Sequence, residues 1–246
     1  MKVTAIKTPI VQPKDNLKEV IRQSVKELPE KSVVVIASKI FSTCENRFVE
    51  KNSDPNQKTK LIKQEADKYT DPHSSKYNLM MTIKRNILFV NAGIDESNAG
   101  NQFILWPKDP QKSINEIWYF LKKEYGVKEV GVTMSDSASQ MLNWGVVGRA
   151  IVYCGFNPLR SYIGKKDLFG KEMKMEKTNV MQSLTDAAVL EMGEGAEQTP
   201  IGIVENITDI EFQNHAPTRK ELDQLKINIE DDAFAPILNK AKWEKN

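Results

Sequence analysis

Apolar positions first recur at helical spacing between Asp15 and Leu28, where Leu17, Val20, Ile21, Val25 and Leu28 share one face and Pro29 ends the segment. The pattern then switches. Val33-Val34-Val35-Ile36 is an unbroken β-branched run, which predicts a strand covered on both faces. Residues 50–80 are polar, with a helix expected over Lys58–Tyr69, and Ile87–Val90 reads as a strand leading into Asn91-Ala92-Gly93-Ile94-Asp95. Ser113 and Glu116 have capping-box spacing and open a helix carrying Ile114, Ile117, Trp118, Leu121 and Tyr125, which Gly126 stops. Val130–Met134 is a strand running into Ser135-Asp136-Ser137. Val180, Leu184, Ala188 and Met192 line one side of a helix over Asn179–Met192, closed by Gly193 and followed by the strand Ile201–Val204. Thr218 with Glu221 caps another helix, and the tail from Asp232 is expected to be helical. These elements predict an α+β fold with mixed or antiparallel sheets and packed helices, since strands and helices do not alternate strictly enough to demand a doubly wound sheet. One unit over residues 1–246 is expected, with any smaller subdomain within about 138–180.

Composition changes this picture mainly by exclusion. Thirty-five basic and thirty-three acidic side chains leave a formal charge of +2, without the basic excess of a nucleic-acid binder. No apolar run approaches the roughly 20 residues needed to cross a bilayer, and the N-terminal MKVTAIKTPI lacks the apolar core of a signal peptide. A cytoplasmic protein is expected. Cys44 and Cys154 have neither metal-knuckle nor disulfide-framework spacing. His73 and His215 stand alone in polar surroundings. No phosphate-binding G-x-x-x-x-G-K-[ST] loop, dinucleotide G-x-G-x-x-G or nucleophile elbow is present. Carboxylate-bound metal is the chemistry that remains, and Asp95, Asp136 and Glu194 each follow an apolar strand or a helix, where a rigid scaffold can hold polar groups.

Four segments read together resemble the F420-0:γ-glutamyl ligase family, which attaches glutamate to a coenzyme F420 precursor. The first is Val33 to Ile40 with Ser42, Glu45 and Arg47. The second is Asn91 to Asp95 with Ser97 and Asn98, then Trp106 to Pro110. The third is Ser135-Asp136-Ser137, followed by Pro158 to Tyr162 and Lys166 to Gly170. The fourth is Met192 to Glu197 with Thr199 to Ile201. The resemblance implies a γ-glutamyl ligase fold that forms an intertwined dimer, GTP as nucleotide, two magnesium or manganese ions, and room for a potassium ion. It places Asp95 and Asp136 at one metal, and Ser137 and Glu194 at the second. Nucleotide contacts are implied for Thr8, Pro9, Ile10 and Val11, for Ser38, Lys39 and Asn98, and for the run Met192, Gly193, Glu194, Gly195, Ala196, Glu197, Gln198 and Thr199. Thr43 stands where the family has a further nucleotide-binding lysine.

The residue types suit that chemistry. Making an amide from a carboxylate requires activation, most simply as an acyl phosphate formed with the nucleotide's terminal phosphate. Hard divalent ions take oxygen ligands and bridge carboxylates to phosphates. Lys39 offers a point charge for phosphate or the transferring group, so Lys39, Asp95 and Asp136 are the candidate catalytic residues. Singly, Asp95 reads equally as an Asx-turn, Asp136 as a cap and Gly193 as a plain helix stop. Their joint order carries the functional reading.

The chain departs from the family after Ser137. Where the family reads Phe-Gly-Arg-Pro-Trp-Arg, it has Ala138-Ser139-Gln140-Met141-Leu142-Asn143, and two arginines suited to an anionic acceptor are absent. The acceptor is therefore expected to be F420-0-like or folate/pterin-like. A catalytically silent nucleotide-binding or sensor protein, and a plain phosphohydrolase, are the competing readings.

Overall fold

In the computed structural model, which describes residues 1–245, a five-stranded mixed sheet forms the centre. Its strands are β1 (Lys2–Ile6), β2 (Ser32–Ala37), β8 (Val130–Ser139), β9 (Val146–Cys154) and β12 (Ile201–Glu205), in the order β1-β12-β2-β8-β9. Only β2 and β8 run parallel; every other neighbour is antiparallel. The expected double coverage of β2 is found. Val34 and Ile36 pack with α1 (Leu17–Ser24) and α4 (Pro110–Tyr125), while Val33 and Val35 face α5 (Val180–Met192) on the other side. Ile114 and Leu121 of α4 are fully buried, and each such side chain contributes roughly 1.5–3 kcal/mol.

A second layer stands beside this core. Strands β4 (Lys68–Tyr69), β5 (Met81–Lys84), β6 (Ile87–Val90) and β13 (Glu244–Lys245) form an antiparallel sheet in the order β13-β4-β5-β6. Strands β3 (Phe48–Glu50) and β7 (Gln102–Ile104) pair separately, and with α3 (Gln57–Glu65) they enclose a small core around Met80, Ala92 and Phe103. Strands β10 (Leu159–Ser161) and β11 (Lys177–Asn179) form a two-stranded arm. Helix α2 (Ser38–Cys44) follows β2, and α6 (Arg219–Asp223) and α7 (Ala235–Leu238) end the chain's helices.

Several expectations are corrected. The helix expected to reach Tyr69 stops at Glu65, because Lys68 and Tyr69 pair with β5 and β13. The first helix is shorter than expected, with Asn16 as its cap and Val25 ending it. Ser113 and Glu116 are not a capping box. Asp109 caps α4, its carboxylate accepting from the Lys112 N–H at 3.2 Å, and Pro110 occupies the first turn. The Thr218–Glu221 box is present. Beyond Asp232 only one helical turn forms, and the chain then joins the smaller sheet through β13. Among the described residues no helix is long and apolar enough to cross a membrane.

Candidate active site

Parallel β2 and β8 deliver their C-terminal ends to one side of the sheet, and a cleft of about 840 Å³ opens there. Five segments supply its polar lining: Thr8–Val11 after β1, Ser38, Lys39 and Thr43 of α2, Gly93–Asp95 with Ser97 and Asn98, Ser135–Ser139 of β8, and Met192–Pro200 beyond α5. All the candidate residues named from the sequence are therefore brought to one cavity. His73 and His215 are exposed and do not line it.

Asp136 was expected beyond a strand end, but it sits inside β8. A register shift between Met134 and Ser135 precedes it, and the strand continues to Ser139 through its pairing with β9. The Trp106 indole N–H donates to its Oδ2 at 2.5 Å and the Ser137 N–H to its Oδ1 at 2.9 Å. Burial raises the Asp136 carboxyl to about 6; those two bonds and the Lys39 charge pull it back, while the Asp95 charge adds to the rise.

Asp95 is reached through an unusual turn. Asn91, Ala92 and Gly93 all have positive φ, at 53°, 54° and 70°, a conformation that costs energy for alanine and asparagine. Neighbours hold it in place. The Asn91 N–H donates to the Met80 carbonyl at 2.9 Å, the Met80 N–H to Asn91 Oδ1 at 3.0 Å, and the Ala92 N–H to Thr82 Oγ1 at 2.8 Å. Gly93 is required sterically, because a Cβ there would lie 2.3 Å from the Trp106 Nε1. The turn presents Asp95 to Lys39, whose Nζ is 2.7 Å from Oδ2. Asp95 also accepts from the Ser97 N–H at 2.7 Å, so the Asx-turn suggested by its residue type is present as well. Burial opposes ionisation of Asp95, but Lys39 and Ser97 outweigh it and hold the carboxyl below its ordinary range.

The opposite wall is the loop after α5. Ser137 Oγ donates to Glu194 Oε2 at 2.5 Å, linking β8 to this loop. Gly193 has φ +79°, and a Cβ there would stand 2.6 Å from the Glu197 carboxyl carbon. That carboxylate accepts from the Gly195 N–H at 2.8 Å. Asn98 Nδ2 donates to the Gly195 carbonyl at 3.2 Å, and the Thr8 N–H to the Gln198 carbonyl at 3.0 Å. Thr43 Oγ1 is turned back to the Lys39 carbonyl at 2.8 Å. Among the described residues lining the cleft, Lys39 is the one cationic side chain. None of the described residues forms a cluster of three His, Cys, Asp or Glu suited to a metal.

Trp106 lies in a family-like segment but has no role legible from the sequence, and Lys84 and Glu65 stand outside every such segment. Nothing in the spacing of those residues marks them, because their convergence is tertiary.

The sequence has known relatives. Residues 5–206 match the F420-0:gamma-glutamyl ligase family, and the chain belongs to that family of amide-forming ligases. It is 30% identical over 223 residues to the coenzyme F420:L-glutamate ligase of Methanosarcina mazei, covering 84% of this chain and 87% of the relative. It is 31% identical to the enzyme of that name from Methanococcus maripaludis, covering 95% of this chain and 97% of the relative. A third, from Methanopyrus kandleri, is 31% identical over 77% of this chain and 80% of its own.

Proposed function

We propose that the chain is a GTP-dependent γ-glutamyl ligase that joins L-glutamate to a cofactor precursor through an acyl phosphate. The observation that carries this reading is the convergence of Asp95, Asp136 and Lys39 opposite the glycine loop Gly193–Gly195 in one cleft. Its volume suits a nucleotide-sized ligand. Thr8–Val11, Ser38, Asn98 and Met192–Thr199 hold the nucleotide, and the glycines let backbone N–H groups approach its phosphates.

The donor set fits magnesium or manganese. It is entirely oxygen, with two carboxylates at Asp95 and Asp136 and a hydroxyl–carboxylate pair at Ser137 and Glu194. Fewer than three acidic ligands per ion leaves positions for water and phosphate oxygens, which is how magnesium is commonly held. When bound, two such ions neutralise charge on the transferring phosphoryl group. A potassium ion belongs to the same reading.

Lys39 then exchanges its Asp95 partner for phosphate oxygen, steadying the group as it moves. An acceptor carboxylate oxygen attacks the terminal phosphorus, and the nucleoside diphosphate leaves. The glutamate amine next attacks the acyl carbon, loses a proton, and expels inorganic phosphate. No covalent bond to the protein is required.

A pterin-type acceptor is a second reading, favoured by the cleft wall at Ala138 and Ser139, where no arginine stands to hold a phosphodiester. Purified protein is to be assayed for glutamate incorporation with F420-0 and with tetrahydrofolate. Turnover of F420-0 alone sinks the pterin reading. Phosphate release that ignores glutamate and acceptor identifies a phosphohydrolase, and nucleotide binding without any turnover identifies a silent binding protein.

A further inference from the structure

Behind the cleft lies a charge cluster, with buried Lys84 at its centre and partly buried Glu65 and Arg47 beside it, that the proposed chemistry does not use. Lys84 of β5 is 9% exposed at its side chain, and its ammonium has three partners. It donates to Glu65 Oε2 at 2.8 Å and to the Ala92 carbonyl at 3.3 Å, and it lies 4.9 Å from the Trp106 ring centroid. Glu65 in turn accepts from Arg47 at 2.8 Å, and Arg47 Nε donates to the Trp106 carbonyl at 2.9 Å. Phe89 abuts the same indole edge-to-face, at 5.1 Å.

We propose that Lys84, with Glu65 and Arg47, is a positioning residue that sets where the Asp136 and Asp95 carboxylates stand relative to each other. This rests on the reading of those two aspartates as one metal site. The first arm runs through Trp106. Lys84 and Phe89 fix its ring, Arg47 fixes its backbone, and its N–H then aims at Asp136. The second arm runs through the left-handed turn. Thr82 and Lys84 lie on one face of β5, two residues apart, and grip the N–H and the carbonyl of Ala92 respectively. That grip holds the strained backbone from which Asp95 projects.

Burying an ammonium and a carboxylate costs several kcal/mol each before their pairing offsets it. A leucine at 84 would cover the indole without that cost. Only a cation with three donors engages Glu65, Ala92 and the indole face together. Groups that orient metal ligands in this way typically alter metal affinity 10–100-fold when removed.

The test uses full-length protein carrying 5-fluorotryptophan. The chain has four tryptophans, and Trp106→Phe assigns the relevant fluorine resonance. Lys84→Met is expected to broaden or split the Trp106 line without metal, leave the other three lines in place, and weaken Mg2+ binding about tenfold. Lys84→Met leaves Glu65 short of a partner, so the double variant Glu65→Gln/Lys84→Met removes both charges, and it should keep the tenfold loss. Arg47→Lys, which can still reach Glu65 but drops the bond to the Trp106 carbonyl, should show a milder form of both effects. Folded variants with a wild-type Trp106 line and wild-type Mg2+ affinity overturn the proposal. A wild-type Trp106 line that ignores Mg2+ overturns the metal reading instead, and the metal-free line shape still decides the positioning role.

Discussion

Asp136 meets two opposed demands. Its burial favours the neutral acid, while the proposed metal binding needs the carboxylate. A folded-state carboxyl near 6 lies above the unfolded value of roughly 3.9. The stability this contributes is thus present below about pH 4 and is lost as pH rises through 6. Asp136→Asn escapes that loss. In EDTA, its melting temperature relative to wild type should be higher near pH 7.5 than near pH 4, whatever constant cost the amide adds where it meets the Trp106 or Ser137 N–H. After discounting for the solvent that reaches this half-buried group, the gain is about 1 kcal/mol, or roughly 2–4 °C. Ligase activity should fall by about 10²-fold or more. A difference from wild type that is the same at both pH values would show that burial does not penalise the charge. Gly93 is constrained differently. Gly93→Ala adds a methyl against the Trp106 indole at a positive φ, and urea denaturation should show a loss of about 2–3 kcal/mol.

At the scale of elements, caps separate what spacing suggests from what folding selects. Ser113 and Glu116 have the right spacing, yet Asp109 makes the capping bond and Pro110 starts the helix. Asp109→Ala should therefore cost about 1 kcal/mol in chemical denaturation, and Glu116→Ala less than about 0.5. The reverse order would restore the capping box. Helix α5 was legible because Val180, Leu184, Ala188 and Met192 repeat at helical spacing over more than three turns. Helix α2 was not. Its seven residues include Ser42 and Thr43, whose hydroxyls fold back onto the carbonyls of Ser38 and Lys39, so polar residues sit buried in a short helix. Strand β9 was also missed. Gly148 and Arg149 interrupt its apolar run, and the reason for Gly148 lies outside the strand: a Cβ there would stand 2.6 Å from Val189 of α5.

At the scale of the whole molecule, the most exposed of the large apolar side chains stand on two projections. Leu142 and Trp144 are exposed on the β8–β9 connection, and Leu168, Phe169 and Met175 on the arm between β10 and β11. Exposed apolar groups of this size mark surfaces that bury against another chain. They fit the intertwined homodimer that the family resemblance implies. Sedimentation equilibrium should give a dimer for the wild type and a monomer for Leu168→Asp/Phe169→Asp, with the far-ultraviolet circular dichroism unchanged. A wild-type monomer would remove the dimer from the reading.

Sequence alone determined the both-sides-buried β2, the amphipathic α5, the absence of phosphate-loop and nucleophile motifs, and the family with its set of cleft residues. These are local patterns or ordered motifs, so they survive in one dimension. Tertiary structure decided the rest. It placed Asp136 inside a bulged strand and made a left-handed turn of Asn91–Gly93. It also joined Glu65, Lys84 and Arg47 behind Trp106. Those residues lie 18, 19 and 37 positions apart along the chain, and only tertiary packing brings them together beside one indole.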